Sequence, residues 1–359
     1  MSVIYLLITM QIENGISLFA EGDYLYKLLG FLLGVIILGL VCFIDDIKGV
    51  PSYVKLTGQI LAAIVAIISG IRIIDLDINI FQNVAWLNHI LTSDAFSMIL
   101  TLFWIVGITN AINLMDGLDG LSSGISVISC LSLLIIFALN GSPMIAIIMI
   151  TALTGAVTGF MPFNFKPAKT FIGDVGANFL GFTISIVSIL GIAKTYTAVV
   201  IVLPVIVLGL PIFDTMWAIF RRIITGKSLK AVFTADKGHL HHRLVKKGFT
   251  QKQAVLILYG ISATFGMFAV ILLESGLWKA LSFLLIVIAI LMLGFKDFMR
   301  VRISENGMYE CMNCKYIYNP KAGNGLAGIA PDTTFEDLPE TWRCPVCGVA
   351  IDMFKPHDE

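Results

Sequence analysis

The segment NAINLMDGLDG, residues 110–120, decides the fold class of this chain. It places two amides (Asn110 and Asn113) and two carboxylates (Asp116 and Asp119) where an apolar run of membrane-spanning length ends. A charge near the centre of a bilayer costs several kcal/mol by insertion scales, so a carboxylate at the edge of such a run indicates a functional site. The segment therefore predicts a membrane protein with a polar site at one membrane surface.

The composition supports the same class. Apolar residues make up 57% of the 359 residues and charged residues only 13%, whereas a soluble domain has about 25% charged residues. The mean hydropathy of +0.91 excludes an ordinary soluble domain. The formal net charge is zero, and we expect no nucleic-acid partner.

Apolar runs of about 20 residues cross a bilayer as helices, because hydrocarbon offers no partners for backbone N–H and C=O groups. We expect an all-α polytopic fold of about ten transmembrane helices, shortened at the N-terminus, followed by a small metal-binding domain. The predicted spans lie near residues 3–19, 26–44, 55–71, 95–113, 120–139, 143–161, 175–193, 197–213, 253–273 and 277–295.

Three further apolar runs also end in carboxylates, at Asp45–Asp46, Asp174 and Asp214. The loops on this side hold most of the Lys and Arg residues, nine of them within residues 221–252. Loops rich in Lys and Arg stay in the cytoplasm. We therefore expect these carboxylates and Asp116 to form one site on the cytoplasmic face of the membrane, although Asp214 could instead cap or kink a helix end.

The apolar pattern stops at Lys296, where a polar tail begins. We expect a transmembrane domain in residues 1–300, a linker in residues 301–307 and a separate soluble domain in residues 308–359.

The tail contains two cysteine pairs, Cys311-x2-Cys314 and Cys344-x2-Cys347, separated by twenty-nine residues. Each pair presents two thiolates on one tight turn, as a tetrahedral sulfur-ligated ion requires. Disulfides are the alternative, but cytoplasmic thiols stay reduced. Four thiolates accept either iron or zinc, so the spacing predicts a metal site and leaves the metal open.

The membrane region contains oxygen ligands of its own. Asn113 and Asp174 carry the hard oxygen donors that Mg²⁺ prefers, and Mn²⁺ is the alternative ion. Asp45 and Asp46 are adjacent carboxylates that could share a proton or a cation.

A basic segment supplies the opposite charge and could clamp phosphate groups in a partly dry site. Its histidines could also ligate zinc, and a solvated basic face is the simplest alternative. The residues concerned are Arg221, Arg222, Lys237, His239, His241, His242 and Arg243.

The tail closely resembles rubredoxin over Met308–Pro356, in YECMNCKYIYNPKAG, in PDTTFEDLPETWRCPVCG and in Phe354. The resemblance implies one iron that cycles between ferric and ferrous states, and a redox partner protein. A zinc ribbon remains the alternative. The sequence departs from the family at Lys315, where rubredoxins usually have glycine. We expect a core built from five aromatic residues, namely Tyr309, Tyr316, Tyr318, Phe335 and Trp342.

Five motifs between Gly34 and Gly294 resemble the polyprenyl-phosphate N-acetylhexosamine-1-phosphate transferases. They occur in the family's order as FIDD, TNAINLMDGLDGLSSG, FNFKPAKTFIGDVGANFLGF, PIFDT and DKGHLHHRL. The resemblance implies a Mg-dependent phosphotransferase that moves a sugar 1-phosphate from a UDP-N-acetylhexosamine to undecaprenyl phosphate, releases UMP and starts cell-wall or surface polysaccharide synthesis. The H-L-H-H form is closer to the GlcNAc branch than to the MurNAc-pentapeptide branch.

The resemblance also assigns roles to residues. It implies that Asn113 and Asp174 ligate magnesium and that Asp45 or Asp46 engages or deprotonates the lipid phosphate. The positions that it places around the nucleoside are Asp116, Asp119 and Phe171, with Phe171 stacking on uracil. The positions that it places in the pyrophosphate and sugar loop are His239, His241 and His242.

The N-terminal part of the sequence departs from the family pattern. The family normally begins with a further span and a loop H-x-x-P-x-P-x-x-G-G, and this sequence has neither. We therefore expect weak or no activity unless the chain starts further upstream.

Two alternative functions remain. The main one is a membrane-anchored rubredoxin electron carrier on an inactive transferase-like scaffold, and the other is a transporter of an anionic solute. A homodimer is left open.

Overall fold

The structure is a computed structural model that describes residues 24–73, 89–192, 198–226, 238–298, 308–339 and 341–357. The expected span in residues 3–19, the expected linker in residues 301–307 and Lys237 lie outside these ranges. The chain divides into two compact units, Met1–Val287 and Ile288–Glu359.

The regular secondary structure in the described residues of the first unit is all helical, because long apolar runs in a membrane must satisfy their backbone groups internally. The helices, continuing through the unit boundary, are α1 (Tyr24–Lys48), α2 (Ser52–Ile68), α3 (Asp94–Leu114), α4 (Leu121–Asn140), α5 (Met144–Asn164), α6 (Gly173–Ile192), α7 (Ala198–Val207), α8 (Gly209–Gly226), α9 (Leu240–Lys246), α10 (Gln251–Ser275) and α11 (Leu277–Phe298).

Six helices in the described ranges are long and apolar enough to cross a bilayer, namely α1, α3, α4, α5, α6 and α10. Helix α2 and the Leu277–Ala289 part of α11 are shorter apolar helices. The chain is therefore a multi-pass membrane protein, but the expected count of about ten spans is not confirmed.

The predicted span at 197–213 differs most from the structure. It is divided into α7 and α8, and α8 continues to Gly226 although the apolar run ends at Phe213. Pro211 has no N–H for the carbonyl of Val207, so the helical hydrogen bonds are interrupted there. Asp214 therefore lies within α8, on a buried stripe with Leu210 and Ala218, and not at the end of the helix that carries it.

Helix α6 forms the centre of the first unit. It packs against α1, α3, α4 and α5. In its most apolar stretch of 18 residues, 83% of the residues are buried, compared with 28–67% in the other five spans. Helices in lipid gain stability by close packing at small residues. Gly181 provides such a position, because a Cβ there would lie only 2.7 Å from the Cα of Thr109 on α3.

The second unit contains a small antiparallel sheet with the strand order β2–β1–β3. The strands are β1 (Tyr309–Cys311), β2 (Ile317–Tyr318) and β3 (Phe354–Pro356). The aromatic core is found as expected: Tyr318, Phe335 and Trp342 are buried, and Tyr309 and Tyr316 are partly buried. Phe354 completes the core.

We predict that Gly181→Ala destabilises the membrane unit by about 1–3 kcal/mol, because the added methyl group would force α3 and α6 apart. The thermal unfolding midpoint of the detergent-solubilised chain measures this effect. Gly107→Ala is the matched control, since a Cβ at Gly107 on α3 would meet no atom within 4 Å. Equal midpoints for the two variants would contradict the close α3–α6 contact.

Candidate functional site

An acidic cluster forms where the end of α1 meets the start of α6. Asp45 and Asp46 lie in the last turn of α1, and Asp174 lies in the first turn of α6. One carboxylate oxygen from each residue lies within 4.8 Å of the other two. The structure thus brings together three carboxylates from two apolar runs that are far apart in the sequence.

Lys55 of α2 holds this cluster together. Its ammonium group forms ion pairs with both Asp45 and Asp174, and the backbone N–H of Val50 donates to Asp45 Oδ1 at 2.8 Å. The sequence alone did not single out Lys55. The available signal was a lysine at the edge of an apolar helix, ten residues after Asp45.

A chain of buried amides extends from Asp174 into the membrane unit. Asn178 donates to the backbone oxygen of Asp174 at 2.8 Å, and Gln59 donates to Asn178 Oδ1 at 2.7 Å. Asn110 donates in turn to Gln59 Oε1 at 2.6 Å. Because a fully paired polar network is rigid, this chain fixes α2, α3 and α6 around the acidic cluster.

Asn113 adjoins the same cluster, with its Nδ2 3.3 Å from Asp174 Oδ1. The two residues that sequence analysis paired as magnesium ligands are therefore neighbours. Three carboxylates and the side-chain amide of Asn113 thus lie together, and such oxygen donors are of the kind that binds a hard divalent cation.

Residues 113–120 comprise the last two residues of α3 and the turn that leads to α4, and we call this segment the acidic turn. Asp116 accepts a hydrogen bond from the hydroxyl of Ser122 at 2.6 Å, and Asp119 is partly buried. Burial raises the pKa of the Asp116 carboxyl, the Ser122 hydrogen bond opposes that rise, and the charge of Asp174 adds to it.

A second polar cluster lies on the other side of this turn. Asp214 Oδ2 lies 2.8 Å from His239 Nδ1, and the ring of His239 stacks on that of His241 with centroids 5.8 Å apart. His242 adjoins His241 at 4.2 Å between centroids. A Cβ at Gly117 would lie 2.2 Å from His241 Nε2, so only glycine lets the acidic turn pack this closely on the histidines.

His241 is 1% exposed. Its burial, with the neighbouring His242 and His239, lowers the pKa of the ring to about 4, so the ring is neutral at pH 7. Helix α9 is held in place by Leu240 and Leu244, which pack on an apolar cluster shared with the acidic turn, α8 and α10.

The remaining predicted residues are less closely gathered. Arg221 donates to the backbone oxygen of Gly238 at 2.7 Å and so adjoins the histidine segment. Arg222 is half-buried on α8, and Arg243 is exposed on α9. Phe171 is 72% exposed and lines an apolar cavity of 260 Å³ between α5 and α6.

The four cysteines of the second unit converge at one point. Cys311 Sγ lies 3.6 Å from Cys347 Sγ, and Cys314 Sγ lies 3.5 Å from Cys344 Sγ. A tetrahedral ion with metal–sulfur bonds of about 2.3 Å has sulfur–sulfur edges of about 3.8 Å. The observed spacing therefore fits a tetrahedral tetrathiolate ion.

The two cysteine turns have equivalent backbones. The N–H of Lys315 donates to the oxygen of Cys311 at 2.9 Å, as the N–H of Gly348 does to the oxygen of Cys344. Lys315 adopts the left-handed φ of +63°, close to the +73° of Gly348. The lysine thus takes the conformation of the usual glycine, and its Nζ lies 3.2 Å from Glu310 Oε1.

Comparison with known proteins identifies two families in the chain. Residues 28–192 match the family described as Glycosyl transferase family 4. Residues 308–354 match the Rubredoxin family.

The chain is 37% identical over 254 residues to a Bacillus subtilis protein named "Probable undecaprenyl-phosphate N-acetylglucosaminyl 1-phosphate transferase", covering 71% of this chain and 67% of that protein. It is 34% identical over 245 residues to a Mycobacterium tuberculosis protein named "Decaprenyl-phosphate N-acetylglucosaminephosphotransferase", covering 63% of this chain and 58% of that protein. The chain thus spans less than two thirds of the mycobacterial relative.

The second unit is 52% identical over 56 residues to the "Probable rubredoxin" of Methanothermobacter thermautotrophicus, covering 16% of this chain and 89% of that protein.

We predict that Lys315→Gly makes the second unit more stable than Lys315→Ala by about 1 kcal/mol, because only glycine adopts a left-handed φ without a steric cost. Both variants lack the ion pair with Glu310, so their difference isolates the backbone. Denaturant unfolding of the full chain, followed by sulfur-to-metal absorbance, measures it. Equal stability of the two variants would contradict the left-handed turn.

Proposed function

The chain belongs to glycosyl transferase family 4 and carries a rubredoxin domain at its C-terminal end, and from this we propose that it transfers GlcNAc 1-phosphate from UDP-GlcNAc to undecaprenyl phosphate and releases UMP. The relatives that match along most of the membrane unit are named as transferases of this sugar phosphate. The product would begin a cell-wall or surface polysaccharide.

The observation that carries this proposal is the meeting of Asp45, Asp46 and Asp174 around Lys55. Phosphoryl transfer asks a protein mainly to position the reactants and to stabilise negative charge. A site that concentrates oxygen ligands and one ammonium group at the end of apolar helices suits a lipid phosphate and a nucleotide diphosphate.

The residues present fit a divalent cation. The cluster has three carboxylates and one ammonium group, which pairs with two of them, so it keeps an excess of negative charge that a second cation would offset. We propose that Asp174 and Asn113, together with a carboxylate from α1, hold Mg²⁺. When bound, Mg²⁺ would neutralise charge on the diphosphate.

The two aspartates of α1 differ in their surroundings, and we propose different roles for them toward the lipid phosphate acceptor. Asp45 is held by Lys55 and by the N–H of Val50, whereas Asp46 is exposed. We propose that Asp45 organises the site and that Asp46 faces the lipid phosphate. A strong base is not required, because a phosphate monoester with a second pKa near about 6 is mostly dianionic at pH 7.

The donor would lie along the acidic turn. We propose that Asp116, Asp119 and Phe171 contact the nucleoside and that the histidine segment contacts the diphosphate and sugar, with Arg221 adding positive charge beside Gly238. The loop charges support a cytoplasmic position for this site.

The rubredoxin domain would bind one iron through Cys311, Cys314, Cys344 and Cys347. When bound, iron supplies a one-electron couple. We propose that this domain exchanges electrons with a redox partner in the cytoplasm. The fit of the four sulfurs to a tetrahedral ion also favours the second candidate function, an electron carrier anchored by a transferase-like membrane unit.

We predict that Asp174→Asn lowers UMP release from UDP-GlcNAc and undecaprenyl phosphate by at least about a hundredfold. The substitution keeps the side-chain shape but removes the charge that Lys55 and the proposed cation share. The iron absorbance of the second unit should be unchanged.

Asp94→Asn is the matched control, because the Asp94 side chain is 91% exposed at the start of α3. UMP release by Asp174→Asn at the wild-type rate would overturn the catalytic role of the acidic cluster. Absence of UMP release from the wild-type chain, with intact iron absorbance, would favour the electron-carrier alternative.

We predict that Ser122→Ala moves the acid limb of the pH–rate profile to higher pH. In the proposed site, Asp116 contacts the nucleoside in its ionised form. The hydrogen bond that it accepts from Ser122 favours that form. Removal of the hydroxyl raises the pKa further, so activity is lost earlier as the pH falls. Ser123→Ala is the control, because its hydroxyl donates to Asn164 instead. An unchanged acid limb in Ser122→Ala would contradict the role of Asp116.

A further inference from the structure

Asp214 is a buried carboxylate outside the acidic cluster. Its side chain is 2% exposed, and both of its oxygens contact the adjacent residues His239 and Leu240. Oδ2 lies 2.8 Å from His239 Nδ1, and Oδ1 accepts the backbone N–H of Leu240 at 2.8 Å. A buried charge is tolerated only when it is paired in this way.

Helix α8 is arranged to deliver this carboxylate. Leu210, Asp214 and Ala218 follow at intervals of four residues on its buried face, whereas Phe213 and Met216 are exposed. The PIFDT motif therefore directs its one charged side chain inward, toward the histidine segment.

The pairing determines where the proton of His239 resides. A carboxylate can only accept hydrogen bonds, so Nδ1 of His239 carries the hydrogen. Nε2 is then the ring nitrogen that can bind a ligand. In metal and hydrolase sites, a carboxylate in this position sets the tautomer and the orientation of an imidazole.

The next histidine indicates that a ligand belongs here. Both ring nitrogens of His241 are buried and lack a hydrogen-bond partner in the part of the chain that the structure describes. Buried polar atoms are normally paired, and this ring is stacked on His239 and packed against Gly117 of the acidic turn. The two ring nitrogens of His241 without a partner, beside the ring of His239, are therefore the observation that points to an external polar ligand.

We infer that Asp214 is a positioning residue that orients the imidazole of His239 toward the diphosphate-linked sugar of the donor. It contacts the donor only through His239. This inference rests on the proposed transferase function and assigns to the PIFDT aspartate a role beyond capping the start of α9.

The test compares Asp214→Glu with Asp214→Asn in the UMP-release assay. Glutamate keeps an acceptor-only carboxylate, so the His239 tautomer is retained despite the longer side chain. Asparagine keeps the shape and can still accept from Leu240, but its NH₂ group faces Nδ1 and forces the other tautomer. We expect kcat/KM to fall at least tenfold in Asp214→Asn and to be partly restored in Asp214→Glu.

A capping role alone predicts the opposite order, because asparagine fits the site better and is itself a good cap. Higher kcat/KM in Asp214→Asn than in Asp214→Glu would therefore overturn the inference. Thermal unfolding midpoints of both variants show whether either loss is a loss of fold. Thr215→Val, a nearly isosteric change at the adjacent buried residue of α8, should stay within twofold of the wild type.

A double-mutant cycle tests whether Asp214 acts through His239. In a His239→Gln background, Asp214→Asn should cause less than a twofold further loss. A full tenfold further loss would overturn the inference. If the wild-type chain releases UMP but the order of variants is reversed, only the role of Asp214 fails; if the wild-type chain releases none, the proposed function fails.

Discussion

The ammonium group of Lys55 lies between the carboxylates of Asp45 and Asp174, and the polar site depends on this arrangement. Three carboxylates at the ends of two apolar helices would repel one another in a medium of low dielectric constant. The ammonium group allows them to approach, and the amide chain through Asn178 fixes the helices that carry them. The resulting cluster still carries excess negative charge, which is the electrostatic condition for binding a divalent cation.

The acidic turn between α3 and α4 connects this cluster to the histidines. Asn113, at its start, lies beside Asp174, and Gly117, in its middle, packs on His241. One short segment therefore sets the spacing between the side that we assign to the lipid phosphate and the side that we assign to the nucleotide sugar. Because phosphoryl transfer depends on the relative position of its two reactants, this turn is the part of the fold on which the proposed reaction depends most.

The sequence predicted the features whose signals lie among neighbouring residues, and it did not predict those that depend on residues far apart in the chain. Apolar length located the helices, and the cysteine spacing located a metal site, because each signal lies within a few neighbouring residues. The end of α8 was missed because its second half is amphipathic, so the apolar run stopped at Phe213 while the helix continued. The bridging role of Lys55 was missed because only one of its partners, Asp45, is near in sequence, while the other, Asp174, is 119 residues away. The left-handed turn at Lys315 was signalled only by the resemblance to rubredoxin, because a lysine by itself does not favour a left-handed φ.

The central claim is that the acidic cluster holds a divalent cation against a nucleotide diphosphate. Electron–nuclear double resonance of Mn²⁺ bound to the full chain in the presence of UDP tests this claim most directly. The account predicts a phosphorus coupling to Mn²⁺ in the wild-type chain and its loss when Asp174 is replaced by asparagine. Binding of Mn²⁺ without phosphorus coupling, or a coupling that does not depend on Asp174, would contradict it.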